Sequence, residues 1–302
     1  MKREFLGAIC LALAASIWGG MYVVSKYVLD IVTPMSLLWI RYAISVVLLY
    51  ALLAIASGKQ PKGVRQRRPA RDWLLLAWIG FVGYFGSISL QFIGTKLSDA
   101  HTGALITSAT PAFVVVFARF ILQESITGKK ILSLILATAG VVTVIGLVPM
   151  EGTYFKGVLI LVGAAVSWAL LSVYVKVASN RFTSLEVTAH SMFFALLITT
   201  PVALPTLGGA IQALSDPAIL AGVLYIALMA TAAAFFLWNK GLELMSAGAG
   251  SLFLFFQPIV GSLLGWLCLD ERLTANFFAG ALLIAAGVLT ATISERKQKT
   301  NA

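Results

Sequence analysis

The sequence predicts an all-α integral membrane protein with ten transmembrane helices, arranged as two inverted five-helix repeats. Three observations predict it. Hydrophobic residues make up 60% of the 302 positions and charged residues only 11%, less than half the charged share usual in a soluble domain. Apolar runs of about 20 residues, the length that crosses a hydrocarbon core as a helix, follow one another with short polar breaks. The chain also repeats itself: Gly94/Gly241, Pro111/Pro258, Glu124/Glu271, Thr127/Thr274 and Gly140/Gly287 are each 147 apart, while Gly7/Gly157, Trp18/Trp168, Lys26/Lys176 and Thr33/Thr183 are each 150 apart.

The first half, residues 5–149, holds the expected spans Phe5–Val24, Pro34–Ser57, Trp73–Phe92, Ala100–Leu122 and Ile131–Pro149. The second half, residues 155–293, holds Gly157–Val177, Glu186–Leu207, Ala218–Asn239, Ala249–Cys268 and Phe277–Ile293. Five is odd, so the second half enters the bilayer in the opposite sense to the first. Such inverted repeats recur in secondary transporters, where two opposed units surround a site at the bilayer midplane. The longest gap, Gly58 to Asp72, is too short for a soluble catalytic domain. The opening Met1-Lys2-Arg3 and its apolar run look like a signal peptide, but the run continues to Val24 and its repeat partner is internal.

The formal charge of +10 is read through its distribution. With ten spans, Lys2, Arg3, the cluster from Lys59 to Arg71, Lys129, Lys130, Lys176, Arg181, Lys240, Arg296, Lys297 and Lys299 all fall on one side, against Lys26, Lys96, Lys156 and Arg272 on the other. The positive-inside rule then puts both termini in the cytoplasm of a multi-pass plasma-membrane protein. Nucleic acid is not an expected partner; the lipid bilayer and a small-molecule substrate are.

The expected cavity is built from polar, aromatic and helix-breaking residues within the spans. Trp18 and its partner Trp168 lie away from the interfacial belt and need a partner for the indole N–H. They line a cavity or bond a neighbouring helix. The second span opens on Thr33-Pro34, a capping hydroxyl with proline in the first turn, and Arg41 follows about 10 Å further down the helix. Such a charge meets an anionic group such as a carboxylate in a wet cavity, or snorkels outward; its repeat partner is Ser191, next to His190. Tyr84, Gln91, Tyr225, Trp238 and Asn239 are further polar candidates within spans. Pro111 and Pro258, the latter after Gln257, free a backbone carbonyl in each half, and matched broken helices point to a binding region. Residues one turn earlier, Ser108 and Phe255, are expected to face the pathway. The Gly/Ala-rich fifth and tenth spans suggest helix contact within the chain or a homodimer.

These residues resemble the EamA-type transporters of the drug/metabolite transporter superfamily. The likeness rests on Trp18-Gly19, Arg41, the mid-span prolines, Glu124 and Glu271 with threonine three residues on, and the closing Gly140-Val141 and Gly287-Val288. The resemblance implies a ten-helix exporter-like fold with a central cavity that moves amino acids, other metabolites or drugs. A drug or cation efflux pump, or a facilitator of nucleosides or sugars, is the alternative within transport. A membrane enzyme would need clustered acids, a metal site or a nucleophile with its base, and Cys10, Cys268, His101 and His190 stand apart from such partners. No cofactor or metal is expected. His190 is the one titratable group well within a span that changes charge near neutral pH, so coupling is expected to be absent or to run through it.

Overall fold

The computed structural model describes residues 2–57, 68–98, 103, 106–107, 110–145, 152–269, 275, 278–280, 282–287 and 289–290. All regular structure among them is helical, the form in which a segment satisfies its own backbone inside a bilayer. Helices α1 (Lys2–Leu29), α2 (Pro34–Ser57), α3 (Ala70–Leu97), α4 (Thr110–Ile121) and α5 (Gly128–Ile145) belong to the first half. The second half supplies α6 (Gly152–Ala178), α7 (Ser184–Ala213) and α8 (Pro217–Leu244). It continues with α9, which runs through three pieces, Ala247–Ser251, Leu252–Phe255 and Phe256–Leu269, and ends in the short α10 (Phe278–Gly287). Six helices, α1, α2, α3, α6, α7 and α8, are long and apolar enough to cross a membrane. The acidic turn around Glu271 lies outside the described residues.

Helix starts follow local chemistry. Thr33 Oγ1 accepts the Ser36 N–H before α2, and the repeat partner Thr183 forms a full capping box with Glu186 before α7. Each such cap is worth about 1 kcal/mol. Between α4 and α5 the backbone turns through Gln123 at φ 56°, and Thr127 Oγ1 then accepts the Lys130 N–H to start α5.

The halves interlock reciprocally. α1 lies on α8 and α9 of the other half, and α6 lies on α3 and α4 of the first. The equivalent helices α2 and α7 also pack together: Ser36 bonds Thr206, Trp39 bonds Thr200 and Tyr50 bonds His190. As numbers rise along α2 they fall along α7, so this repeat-related pair runs antiparallel. Gly140 of α5 is spent within the chain, because a Cβ there would stand 2.6 Å from the Gly280 carbonyl of α10. Ser133 donates to the Gly287 carbonyl on the same seam.

Two irregularities recur in register. The middle of α3 is wound as a π-helix over Gly80–Ser87, and the middle of α8 over Tyr225–Ala233. Shifted by the 147 of the repeat, the first covers 227–234 and overlaps the second. π segments are rare and gather at functional sites. Here each faces the other half, the α3 segment against α7 and the α8 segment against α2.

Candidate functional site

A cavity of about 30 Å³ opens where the two halves meet, among α1, α2, α3, α4, α6, α8 and α9. Eight of its lining residues form four repeat-related pairs: Trp18 with Trp168, 150 apart, and Ile88 with Phe235, Thr107 with Leu254 and Thr110 with Gln257, 147 apart. Met21, Arg41, Ser87, Gln91 and Ala164 complete the wall. The cavity thus sits on the seam that relates the halves.

Arg41 reaches it from α2. The side chain is 0% exposed, so it does not snorkel. Its Nε donates to Thr231 Oγ1 at 2.6 Å in the π segment of α8, and Nη1 lies 3.9 Å from Met21 Sδ. The guanidinium carbon stands 5.6 Å from the ring centroids of Phe92 and Phe235, where the ring faces attract a cation. Nη2 is buried without a protein partner. Thr231 is held ready by its own bond to the Ile226 carbonyl five residues back, a product of the π winding.

Trp18 and Trp168 meet edge to face with ring centroids 5.2 Å apart. Trp18 Nε1 donates to the Ala230 carbonyl at 2.8 Å, whereas Trp168 Nε1 is buried and unpartnered. One indole thus bonds a neighbouring helix while both rings line the cavity. Trp238 packs on both rings, with centroids 5.4 and 6.2 Å away, and is buried behind the wall rather than part of it.

The prolines act on the backbone next to the cavity. Pro258 cannot donate to the Leu254 carbonyl, and α9 is 3₁₀-wound over Leu252–Phe255 before resuming as an α-helix, the tightening expected where a helix loses a bond. Gln257 and Leu254 thereby line the cavity. Pro111 follows the lining residue Thr110 in α4. The cavity is lined one residue before the expected pathway pair. Thr107 and Leu254 face the cavity, Phe255 is 0% exposed in the core, and Ser108 lies outside the described residues.

The other sequence candidates lie off the wall. Asn239 Nδ2 donates to Tyr84 Oη and Thr188 Oγ1, each at 2.8 Å, and Tyr42 Oη donates to the Tyr84 carbonyl. This buried network ties α2, α3, α7 and α8 together. Tyr225 Oη donates to the Ile17 carbonyl at 3.0 Å. His190 is half-buried between the rings of Tyr50 and Trp73, with Nδ1 2.7 Å from Tyr50 Oη.

One end of the bundle is closed by charge. Arg68 pairs with Glu186 at 2.9 Å, Arg181 with Asp72 at 2.6 Å, Lys130 with Glu124 at 3.1 Å, and Lys240 with Glu243. Lys176 Nζ donates to the Leu242, Glu243 and Met245 carbonyls at the end of α8, where a cation is favoured. These are the ends of α4, α6 and α8 and the starts of α3, α5, α7 and α9. At the other end a neutral cluster, Thr33, Ser36 and Thr206, joins α2 to α7.

The EamA-like transporter family model matches the chain twice, over residues 5–146 and 155–293. The chain belongs to the EamA-like transporter family. It is a multi-pass membrane protein of that family and of the drug/metabolite transporter superfamily. Among EamA-like relatives, the uncharacterized transporter YoaV of Bacillus subtilis (strain 168) is 27% identical over 98% of this chain and 100% of its own. A probable terminal-alkyne amino-acid exporter of Streptantibioticus cattleyicolor is 27% identical over 78% of each chain. A solved crystal structure shares this chain's fold with a TM-score of 0.76 at 19% identity, covering 97% of this chain and 98% of that one.

Two residues of the EamA-like motif acquire a physical role at helix starts: Glu124 caps α9 across the seam, and Thr127 caps α5. Sequence reading missed Met21, Ser87, Ile88, Thr107, Thr110, Ala164, Thr231, Phe235 and Leu254. The repeat offset was the signal for one of them, since Thr110 is the partner of Gln257, which the sequence singles out.

Proposed function

We propose that the protein is a secondary transporter that exports small metabolites, amino acids or related solutes, by alternating access. In this reading ten helices form two inverted five-helix repeats, residues 5–149 and 155–293, in the plasma membrane with both termini cytoplasmic. The observation that carries it is the cavity on the repeat seam, walled by repeat-related pairs from both halves. The antiparallel run of the equivalent helices α2 and α7 supports the inversion, and the ion pairs gathered at one end support a cytoplasmic closure. At about 30 Å³ the cavity has room for about two waters. A metabolite therefore enters only when the halves part, as rocking of one repeat against the other provides.

The protein works without a cofactor or catalysis in this reading; its partners are the solute, the bilayer and, through the outward sides of the Gly/Ala-rich helices, a second copy. The aromatic wall of Trp18, Trp168 and Phe235 favours one rival, efflux of an amphipathic drug. Export profiling of cells with and without the protein, across amino acids, nucleosides and toxic cations, separates the two. Amino-acid efflux that depends on the protein is the expected result. Identical efflux of every solute from both cell lines would end the transport reading.

A further inference from the structure

Arg41 and Trp168 line the same cavity, one from each half, and each keeps a buried N–H with no protein partner, Nη2 and Nε1 respectively. Arg41's polar neighbours, Thr231 and Met21, are neutral. Among the described residues no carboxylate lines the cavity, and none pairs with Arg41. Burying a charge without a counter-ion, or a donor without an acceptor, is costly, and an uncompensated charge at membrane depth marks a functional site. Aromatic faces soften that cost without cancelling the charge.

We propose that the cavity, once the halves part, selects small organic carboxylates, amino acids among them, with the carboxylate held between Arg41 Nη2 and Trp168 Nε1 and the apolar part of the solute resting on Ile88, Phe235 and Leu254. The proposal rests on the transport reading for the route by which the solute arrives. Among the described residues that line the cavity Arg41 alone is charged, so the ligand binds with its carboxylate toward the first half. An amide lacks the charge that answers the guanidinium. An amine meets a like charge at close range and is excluded.

Purified protein in nanodiscs tests this by tryptophan fluorescence and thermal shift, since Trp18 and Trp168 both line the cavity. The probes are propionate, 4-methylpentanoate and phenylacetate, each beside its amide and the corresponding amine. At least one acid is expected to bind about tenfold or more tighter than its amide, the gain of a charge-assisted bond over a neutral one, and the amines weakest. Arg41→Gln should bring the acid down to its amide's level, and Arg41→Lys should keep part of the preference. Trp168→Phe, which removes the indole N–H together with the five-membered ring, should weaken the acid several-fold more than its amide; it decides the matter if the Arg41 variants fail to fold. Acid and amide binding alike, no binding by any acid, or an acid preference that survives Arg41→Gln overturns the proposal. Selective acid binding without movement of the acid across vesicles would instead overturn the transport reading and leave this one standing.

Discussion

Glu124 Oε1 accepts the backbone N–H of Ala247 at 2.9 Å, and its Oε2 accepts that of Gly248 at 3.2 Å. The acid that ends α4 in one half thus caps the first turn of α9, its counterpart in the other. A carboxylate at a helix N-terminus meets the positive end of the dipole as well as free donors, and Lys130 stands on the same carboxylate. Glu124→Gln keeps the shape and removes the charge, and is expected to cost about 1–2 kcal/mol. Hydrogen exchange of residues 247–251 should quicken in the variant. Unchanged exchange there would mean that the cap does not hold the halves together.

Gly19 follows Trp18 where α1 crosses the start of the proline helix. A Cβ on Gly19 would stand 2.7 Å from the Gln257 carbonyl and 3.0 Å from Val260. Backbone cannot swing aside, so Gly19→Ala should push α1 from α9 at the cavity, with a loss of about 1–3 kcal/mol and a marked fall in transport. A variant with wild-type transport and thermal midpoint would show that the seam is looser than this packing.

The His190 ring stands off the cavity, occupied with Tyr50 and between two aromatic rings. His190→Ala should therefore leave the response of transport to an imposed pH gradient unchanged. If that response disappears while transport without a gradient persists, the histidine couples protons from outside the cavity and the sequence expectation stands.

Reporters fused in the loop between Gly58 and Asp72 and after Ile293 should read cytoplasmic, and one at Glu151 external. The loop carries six basic residues, each resisting translocation, and Arg68 and Asp72 beside it bond the same bundle end as Lys176 and Glu243. An external signal from the loop would reverse the topology and remove the inverted relation between the halves.

The helices were legible because hydropathy and capping act locally. Thr33-Pro34 and Thr183 start helices as their chemistry requires. The direction of Arg41 was not legible. α2 is apolar on every side, so no stripe marks which face turns inward, and only the meeting with Thr231, 190 positions away, fixes it. For the same reason Met21, Ile88 and Leu254 carry no mark that separates a cavity wall from a lipid face. Polar type does not give the position either: Tyr225 meets a backbone carbonyl, Asn239 meets Tyr84 and Thr188, and Trp238 packs on two rings, while Trp238 Nε1 and Asn239 Oδ1 are buried without a protein partner.

The matched π segments of α3 and α8 separate what the halves share from what they do not. A π turn is an α-helix with one residue too many, and both halves carry the surplus at overlapping positions, as a unit used twice would. The charge at the cavity is not carried twice: Arg41 lines it from the first half, and its repeat partner is Ser191. The distortion is a property of the repeat, and the charge a property of one copy.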